Sequence, residues 1–211
     1  CPTPCARHRS PHGWARACTR CSTPCVGASC KTWWSLCKGP APQDLENWDH
    51  AANAAGLEHA LQGTCTALQD VVRSVSAAGG AGWRLWPLCD RPPVRSADEM
   101  AQGLVGLLGD AAHPMRPYLA QGAGMAIEDA AELQRALAMH DLDVPLRLRR
   151  YALNRWQRNA RVQARSTRNG RIFHATGPVR WGRDLSLRLL GERLLDVPWL
   201  YRGDGSSASS L

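Results

Sequence analysis

The sequence has 211 residues, which is room for one ordinary domain that needs no disulfide or metal to hold its core. Hydrophobic residues make up 44% of it and charged residues 21%, a globular composition that excludes disorder of the whole chain, collagen and coiled coils. The formal net charge of +8 raises the question of a nucleic-acid or membrane-surface partner. However, the basic residues form no block, and most of their excess lies on helix-like stretches after Arg147.

Neither a membrane segment nor a secretory signal is visible in the sequence. No stretch approaches the ~18–20 consecutive apolar residues of a membrane helix, and the N-terminal residues contain no apolar signal core. We therefore expect a cytoplasmic protein with no membrane and no nucleic-acid partner. The sequence leaves the oligomeric state open.

Residues 1–38 form a leader that differs from the rest of the chain. It contains seven of the nine cysteines, among runs of Pro, Thr, Ser and Arg, and shows no apolar periodicity. Three interpretations are open: a zinc site, disulfides, or translation out of frame. Cys18 and Cys21 make a C-x2-C pair followed by Cys25 and Cys30, but this spacing is irregular for a zinc finger. The missing secretory signal argues against disulfides.

The genetic code favours translation out of frame. When the last base of each codon is joined to the first two of the next, Trp33-Trp34 gives Val without ambiguity and Lys31-Thr32 gives Asn or Asp. The segment KTWWSLC then overlays a plausible strand, N-L-V-V-V-V. We therefore predict that residues 1–38 are an out-of-frame leader, irregular and unstructured, without a metal site.

Residues 39–100 have an ordinary composition. Gln43–Gly63 shows the apolar spacing of a helix, with Asp44 as a candidate N-cap. Trp83–Leu88 alternates as a strand does, and the two prolines after Arg91 end it. We expect a helix and a strand in this part of the chain.

The patterns become clearer in residues 101–203. Leu104–Leu108 predicts a short buried strand that ends at Gly109 and Asp110, and a loop rich in Pro and Gly follows. Helices are predicted over Met125–Met139, Val144–Arg168 and Arg183–Leu195. In the first of them, the stripe from Ile127 to Leu137 is interpreted as core packing. Residues 204–211 are predicted to be a flexible tail.

The loop between this strand and the first helix has the chemistry of a cofactor site. Asp110 lies at the carboxyl end of the predicted strand, where open α/β sheets bind ligands. Gly122 and Gly124 allow a ligand to approach closely, and the helix start presents free N–H groups and a positive dipole end. Such a site suits a polyhydroxyl chain that carries a reducible ring. Glu128 and Asp129 are interpreted as ordinary first-turn acids, and the arginines of the later helices as solvated or interface faces.

The segment from Gly109 to Ala130 contains G-D-A-A-H-P-M-R-P and, after it, Q-G-A-G-M-A-I-E-D-A. In residue type and spacing it resembles the C-terminal FAD-binding motif of the class A flavoprotein aromatic hydroxylases, G-D-A-A-H-x-x-x-P-x-x-x-x-G. The likeness is greatest to the salicylate and 3-hydroxybenzoate hydroxylase-like branch. Trp83–Leu88 also looks like the strand that precedes this motif in the family. The resemblance extends from about Gly39 to Gly203.

The resemblance implies an α/β fold. Residues 101–203 would be the C-terminal part of a Rossmann-like FAD-binding domain, and residues 39–100 the end of a substrate-binding domain. It also implies FAD as the cofactor, NAD(P)H as the co-substrate, and hydroxylation of a small aromatic, salicylate-like substrate by an FAD-dependent monooxygenase.

The cofactor-binding residues that the resemblance implies are Asp110, Pro117, Gly122, Ala123 and Gly124. The Asp110 carboxylate would accept hydrogen bonds from the ribityl chain, and Pro117 would lie against the isoalloxazine ring. The N–H groups of Ala123 and Gly124 would face flavin O2 and stabilise negative charge there. His113 and Arg116 would shape the loop. No catalytic residue is implied.

Two parts of the family pattern are missing from the sequence. It contains no G-x-G-x-x-G fingerprint for the pyrophosphate, nor the family's middle D-G motif. We therefore expect a C-terminal fragment that is inactive alone. A small Cys-rich zinc-binding protein and a basic nucleic-acid-binding protein remain as alternatives, although neither explains the motif after Leu108.

Overall fold

A computed structural model describes residues 18–24, 31–37, 44, 54–77, 83–191 and 197–201. The chain divides into two compact units. One comprises Cys1–Leu88 with Ile172–Asp184, and the other comprises Cys89–Arg171 with Leu185–Leu211. Within the part of the chain that is described, no helix has the length and apolarity to cross a membrane.

The first unit contains an antiparallel hairpin near its start. Strand β1 (Cys18–Pro24) pairs with strand β2 (Lys31–Cys37), in a register that places Cys18 opposite Cys37. The prediction that residues 1–38 are irregular is therefore wrong for these two segments, which are rich in the Thr and Trp residues that favour strands. The rest of the leader lies outside the described residues, and its out-of-frame origin stays a prediction.

Two helices follow in the first unit, α1 (Ala54–Ala60) and α2 (Thr66–Ala77). Leu61 and Val72 are buried between them, and the partly buried Trp83 packs there and donates its indole N–H to the Val72 carbonyl at 3.2 Å. The helix predicted over residues 43–63 is confirmed only for its last part. Residue 44 is not helical, and residues 43 and 45–53 lie outside the described residues.

The strand predicted over Trp83–Leu88 is wrong. Only Leu85 occupies a bridge position, and Trp86 and Leu88 are exposed. A strand is stabilised by a neighbour that pairs with its backbone, and Pro87 has no N–H to offer one.

The second unit opens with a 3-10 turn at Ala97–Glu99 and a very short hairpin. Strand β3 (Ala101–Gln102) pairs antiparallel with strand β4 (Val105–Gly106). The buried strand predicted over Leu104–Leu108 is therefore wrong in length and in burial. Gly103, with φ of 57°, turns the chain, and no further strand among the described residues pairs with β4.

The helices of the second unit follow the loop. Their bounds are α3 (Gly122–Leu137), α4 (Val144–Phe173), α5 (Gly177–Leu190) and α6 (Pro198–Tyr201); α4 and α5 each continue beyond the unit. The predicted helices are confirmed, but α3 begins three residues and α5 six residues earlier than the sequence indicated. Residues 192–195 of the last predicted helix lie outside the described residues. Asp143 accepts the Leu146 N–H at 2.9 Å and so caps α4, while Arg147 donates to the carbonyls of Leu137, His140 and Leu142 and holds the turn before it.

Among the described residues of the second unit, two apolar clusters form the core. One includes Met100, Ala112, Tyr151 and other buried residues of the 3-10 turn and α4, and the second joins Met125 of α3 to helix α6. The core-facing stripe of α3 was predicted out of phase. Ile127 is 71% exposed, whereas the residues that α3 buries are Met125, Asp129 and Ala136.

Candidate functional site

The candidate site is the loop between β4 and α3, and its first turn depends on a glycine. Gly109 has φ of 57°, a conformation that side chains rarely adopt, and it opens a 3-10 turn over Gly109–Ala111. A Cβ at this position would lie 3.3 Å from the Ala126 Cβ, which is a tight contact. The turn therefore packs closely on helix α3.

The structure brings the predicted residues Asp110 and Gly122 together. A Cβ built on Gly122 would lie 3.9 Å from Asp110 Oδ1, so the carboxylate faces the bare backbone where α3 begins. A Cβ on Gly124 would lie 3.2 Å from Gln121 Oε1. The first-turn N–H groups of a helix have no acceptor within the helix, and Gln121 makes no side-chain capping bond to them.

The other two predicted residues, Pro117 and Ala123, are both exposed to solvent. Just before the helix, Ala120 has φ of 53°, a strained backbone for a residue other than glycine. This conformation turns the loop into α3. A surface made of a carboxylate, two glycines and helix-start N–H groups fits a polyhydroxyl ligand that carries an anionic or polarised group.

A buried carboxylate, Asp129, anchors the loop to the helices. Its Oδ2 accepts the Gly109 N–H at 3.1 Å and lies 2.5 Å from His113 Nε2, while its Oδ1 accepts hydrogen bonds from Arg155 Nε at 2.8 Å and Asn159 Nδ2 at 3.1 Å. The side chains of His113 and Asp129 are both 0% exposed. Both ends of the first loop turn are therefore tied to one charged group.

The charge of Asp129 is stabilised by these donors. Burial alone would raise the pKa of Asp129, but hydrogen bonds from His113, Arg155, Asn159 and the Gly109 N–H outweigh it and lower the pKa to about 2. The carboxylate is therefore ionised at neutral pH. Burial and the neighbouring Asp129 charge raise the pKa of Tyr151, whose hydroxyl donates to the Leu107 carbonyl at 2.9 Å.

A second carboxylate, Glu128, extends the network toward the surface. It is bound by Arg155 Nη1 at 2.7 Å and by Arg158 at 2.6 and 2.7 Å. Burial raises the pKa of Glu128, but hydrogen bonds from Arg158 and Arg155 outweigh it, so the pKa is lowered. Arg155 and Arg158 are therefore ion-pair partners within the chain and not the solvated or interface face that the sequence indicated.

The two residues expected to shape the loop have defined partners. His113 binds Asp129, and among the described residues its Nδ1 has no hydrogen-bond partner. Arg116 Nε lies 2.7 Å from Asp90 Oδ2, which ties the middle of the loop to the segment before it. Both contacts agree with a shaping role.

Sequence reasoning missed Asp129 as the centre of the site. It was interpreted as a first-turn acid, but α3 begins at Gly122, so Asp129 lies in the second turn. The spacing offers only a partial signal: Asp129 is four residues after Met125 and seven before Ala136, on the face of α3 that the structure shows to be buried. Asn159 follows Arg155 by four residues in α4, so the two partners also share a face.

The loop and helix α3 lie in a stretch of the chain that is similar to known proteins. Residues 91–166 match the family described as FAD binding domain. The chain is 42% identical over 121 residues to 3-hydroxybenzoate 6-hydroxylase of Polaromonas naphthalenivorans, covering 56% of this chain and 30% of that protein. It is 42% identical over 142 residues to 3-amino-4-hydroxybenzoate 2-monooxygenase PtnB3 of Streptomyces platensis, covering 67% and 34%.

A solved structure shares the fold. The crystal structure of an HpxO variant of Klebsiella pneumoniae complexed with FAD has a TM-score of 0.64 and 21% sequence identity, and covers 84% of this chain and 44% of that one. The predicted resemblance to FAD-dependent aromatic monooxygenases and the predicted fold class, part of an α/β FAD-binding domain, are confirmed. The chain spans about a third of the length of the curated relatives that it matches.

Proposed function

We propose that the segment from Gly109 to Met125 binds the ribityl chain and the isoalloxazine ring of FAD, as part of an FAD-dependent aromatic monooxygenase. The observation that carries the proposal is the placement of Asp110 Oδ1 beside Gly122, at the start of α3 and inside the stretch that matches the FAD binding domain family. The hydrogen bonds of Asp129 with the Gly109 N–H and with His113 hold the loop in this arrangement.

Each predicted residue has a binding role that suits its chemistry. The Asp110 carboxylate accepts hydrogen bonds from ribityl hydroxyls, and Gly122 leaves space for the chain beside it. Pro117 offers an apolar contact to the ring, and the N–H groups of Ala123 and Gly124 bind its polar edge. The bound flavin supplies the redox and oxygen chemistry, while the protein binds, orients and shields it.

The substrate is a small aromatic acid of the hydroxybenzoate class, and NAD(P)H is the reductant. The names of the relatives support this class, because one is a hydroxylase of 3-hydroxybenzoate and the other a monooxygenase of 3-amino-4-hydroxybenzoate. In this proposal residues 101–203 form the C-terminal part of the FAD-binding domain and residues 39–100 the end of the substrate-binding domain. No specific observation favours a zinc-binding or a nucleic-acid-binding function.

The 211-residue chain alone is expected to purify without colour. The sequence contains no pyrophosphate fingerprint, so a ligand held by this loop lacks the N–H groups that compensate two phosphates. If that cradle supplies ~4 kcal/mol, its absence lowers the affinity for FAD about a thousandfold.

A chimera tests the proposed function. Residues 91–201 of this chain would replace the equivalent part of the Polaromonas 3-hydroxybenzoate 6-hydroxylase, which supplies the part of the protein that this chain does not cover. We expect a yellow protein, in which Asp110→Ala weakens FAD binding about tenfold or more through loss of hydrogen bonds to a charged group. Asp141→Ala, which removes an exposed carboxylate after α3, is the matched control and should leave FAD binding unchanged.

Flavin absorption after gel filtration and FAD titration of the stripped protein are the measurements. Cooperative unfolding of each variant shows that it is folded. A folded chimera without flavin, or one in which Asp110→Ala and Asp141→Ala bind FAD equally well, contradicts the proposal.

A further inference from the structure

Helix α4 presents a row of polar side chains to the backbone of the loop. Gln163 Nε2 donates to the Pro114 carbonyl at 3.2 Å, and Ser166 Oγ donates to the Arg116 carbonyl at 2.6 Å. These two residues are three apart in sequence, so they lie on one face of the helix, and both are almost completely buried. The contacts reach alternate residues of the loop.

The row continues one turn further along the helix. Asn169 Nδ2 lies 3.5 Å from the Tyr118 carbonyl, and Gly170 leaves room for the Tyr118 ring. A Cβ on Gly170 would lie only 2.5 Å from Tyr118 Cε2. This face of α4 therefore fits the loop in two ways: its polar side chains donate hydrogen bonds to the loop carbonyls, and Gly170 leaves space for the Tyr118 ring.

The Ser166 contact falls on a tight turn. The Arg116 carbonyl accepts the Tyr118 N–H at 2.8 Å as well as the Ser166 hydroxyl, which closes a three-residue turn with Pro117 at its centre. Proline has a fixed φ and no N–H, so its orientation depends on the groups that bind the flanking residues. Ser166 is a buried side chain that binds one of these flanking residues, at the Arg116 carbonyl.

We propose that Ser166 is a positioning residue for the flavin, with Gln163 and Asn169 beside it. It acts through the Arg116 carbonyl and sets the orientation of Pro117, which the proposed function places against the isoalloxazine ring. The inference therefore rests on the proposed function. None of the three side chains is assigned to contact the cofactor.

The first part of the test uses the 211-residue chain without flavin. Amide hydrogen exchange of the loop would be compared in the unaltered chain, Ser166→Ala, Ser166→Thr and the neighbouring control Thr167→Ala. Ser166→Ala should speed exchange at Tyr118 about tenfold, the factor that corresponds to one buried hydrogen bond. Ser166→Thr keeps the hydroxyl and should restore slow exchange. Unchanged exchange in Ser166→Ala overturns the inference.

The second part uses the same four forms of the FAD-containing chimera. Ser166→Ala should shift the visible absorption bands and the reduction potential of the bound flavin, while Ser166→Thr and Thr167→Ala should leave both unchanged. A role confined to helix stability would lower the unfolding midpoint without moving the spectrum, and that result overturns the inference. If Asp110→Ala leaves FAD binding unchanged, the proposed function fails instead, and exchange at Tyr118 still reports whether Ser166 holds the loop.

Discussion

The segments on the two sides of Gly109 are held in opposite ways. Before it, the hairpin residues Leu104 and Val105 are 75% and 63% exposed. The hairpin joins the core through the buried Ala101 of β3 and through Leu107, whose N–H donates to the Met100 carbonyl at 2.7 Å. After it, the loop is fixed by a buried ion, Asp129, with four hydrogen-bonding partners.

This difference shows which contacts define the candidate site. Apolar burial is non-directional, whereas a buried carboxylate requires donors at fixed positions. The backbone at Gly109 is therefore placed by charge and hydrogen bonding more than by the apolar hairpin that leads to it. Substitutions on the two sides should have effects of very different size.

The largest effect is expected for Asp129→Ala. It leaves the buried Arg155 guanidinium without one of its carboxylate partners and removes the acceptor of the Gly109 N–H. Breaking a buried pair in this way should lower the free energy of unfolding by about 3–5 kcal/mol, measured by urea denaturation. Asp129→Asn, which keeps the shape and one acceptor oxygen, should lose less. A loss below ~1 kcal/mol in Asp129→Ala would show that the network does not anchor the loop.

The second effect is a loss of stability in acid. The pKa of Asp129 is about 2 in the folded protein, below its ordinary value of 3.8, so the unfolded chain binds the proton more readily. The stabilisation is complete above about pH 5 and is lost as the pH falls toward 2; the pKa difference corresponds to roughly 2 kcal/mol. The lowered pKa of Glu128 acts in the same direction.

The acid effect is measured by urea unfolding at several pH values between about 5 and 2, in the unaltered chain and in Asp129→Asn. Stability should reach its plateau at about pH 5, above the pKa values of Asp129 in the folded and unfolded chains. The variant has no carboxylate to protonate at this position, so its stability should fall less steeply. Parallel pH profiles for the two proteins would mean that Asp129 does not carry the acid sensitivity.

A smaller effect is expected for Gly170→Ala, since its Cβ would overlap the Tyr118 ring. Overpacking should lower stability by about 1 kcal/mol after the gain in helix propensity is included. Gly182→Ala is the matched control, because a Cβ there would meet no atom of the described residues within 4 Å beyond its own stretch of helix, and it should be neutral or stabilising. Equal stabilisation by both substitutions would mean that the ring moves aside freely.

The sequence predicted the helices of the second unit and the approach of Asp110 to the start of α3. Spacing of apolar residues and the glycine-rich loop were sufficient, because both are local signals. The burial of particular residues was predicted less well. Leu104–Leu108 has the composition of a buried strand, but burial depends on a pairing partner, which local sequence does not specify.

The centre of the site could not be predicted from local pattern for a similar reason. A helical stripe drawn through Ile127 and Leu137 is mis-phased, because the polar Asp129 lies on the buried face. Its burial is stable only with His113, Arg155 and other donors that are 16 to 30 residues away in sequence. Such pairs are visible only once the elements are packed together.

The smallest effect is expected on the other side of Gly109, for Leu104→Ser. This side chain is 75% exposed at the turn of the β3–β4 hairpin, so its removal creates no cavity and breaks no hydrogen bond in the described structure. Stability should change by no more than about 0.5 kcal/mol, as for other surface substitutions. The matched control is Leu148→Ser, which removes a buried leucine whose Cδ2 would lie 3.1 Å from a Cβ on Gly106 and should be far more destabilising. Leu104→Ser could instead lower the free energy of unfolding as much as Asp129→Ala does. That result would mean that the hairpin anchors the loop as strongly as Asp129, because an exposed leucine without contacts to the core does not contribute so much stability.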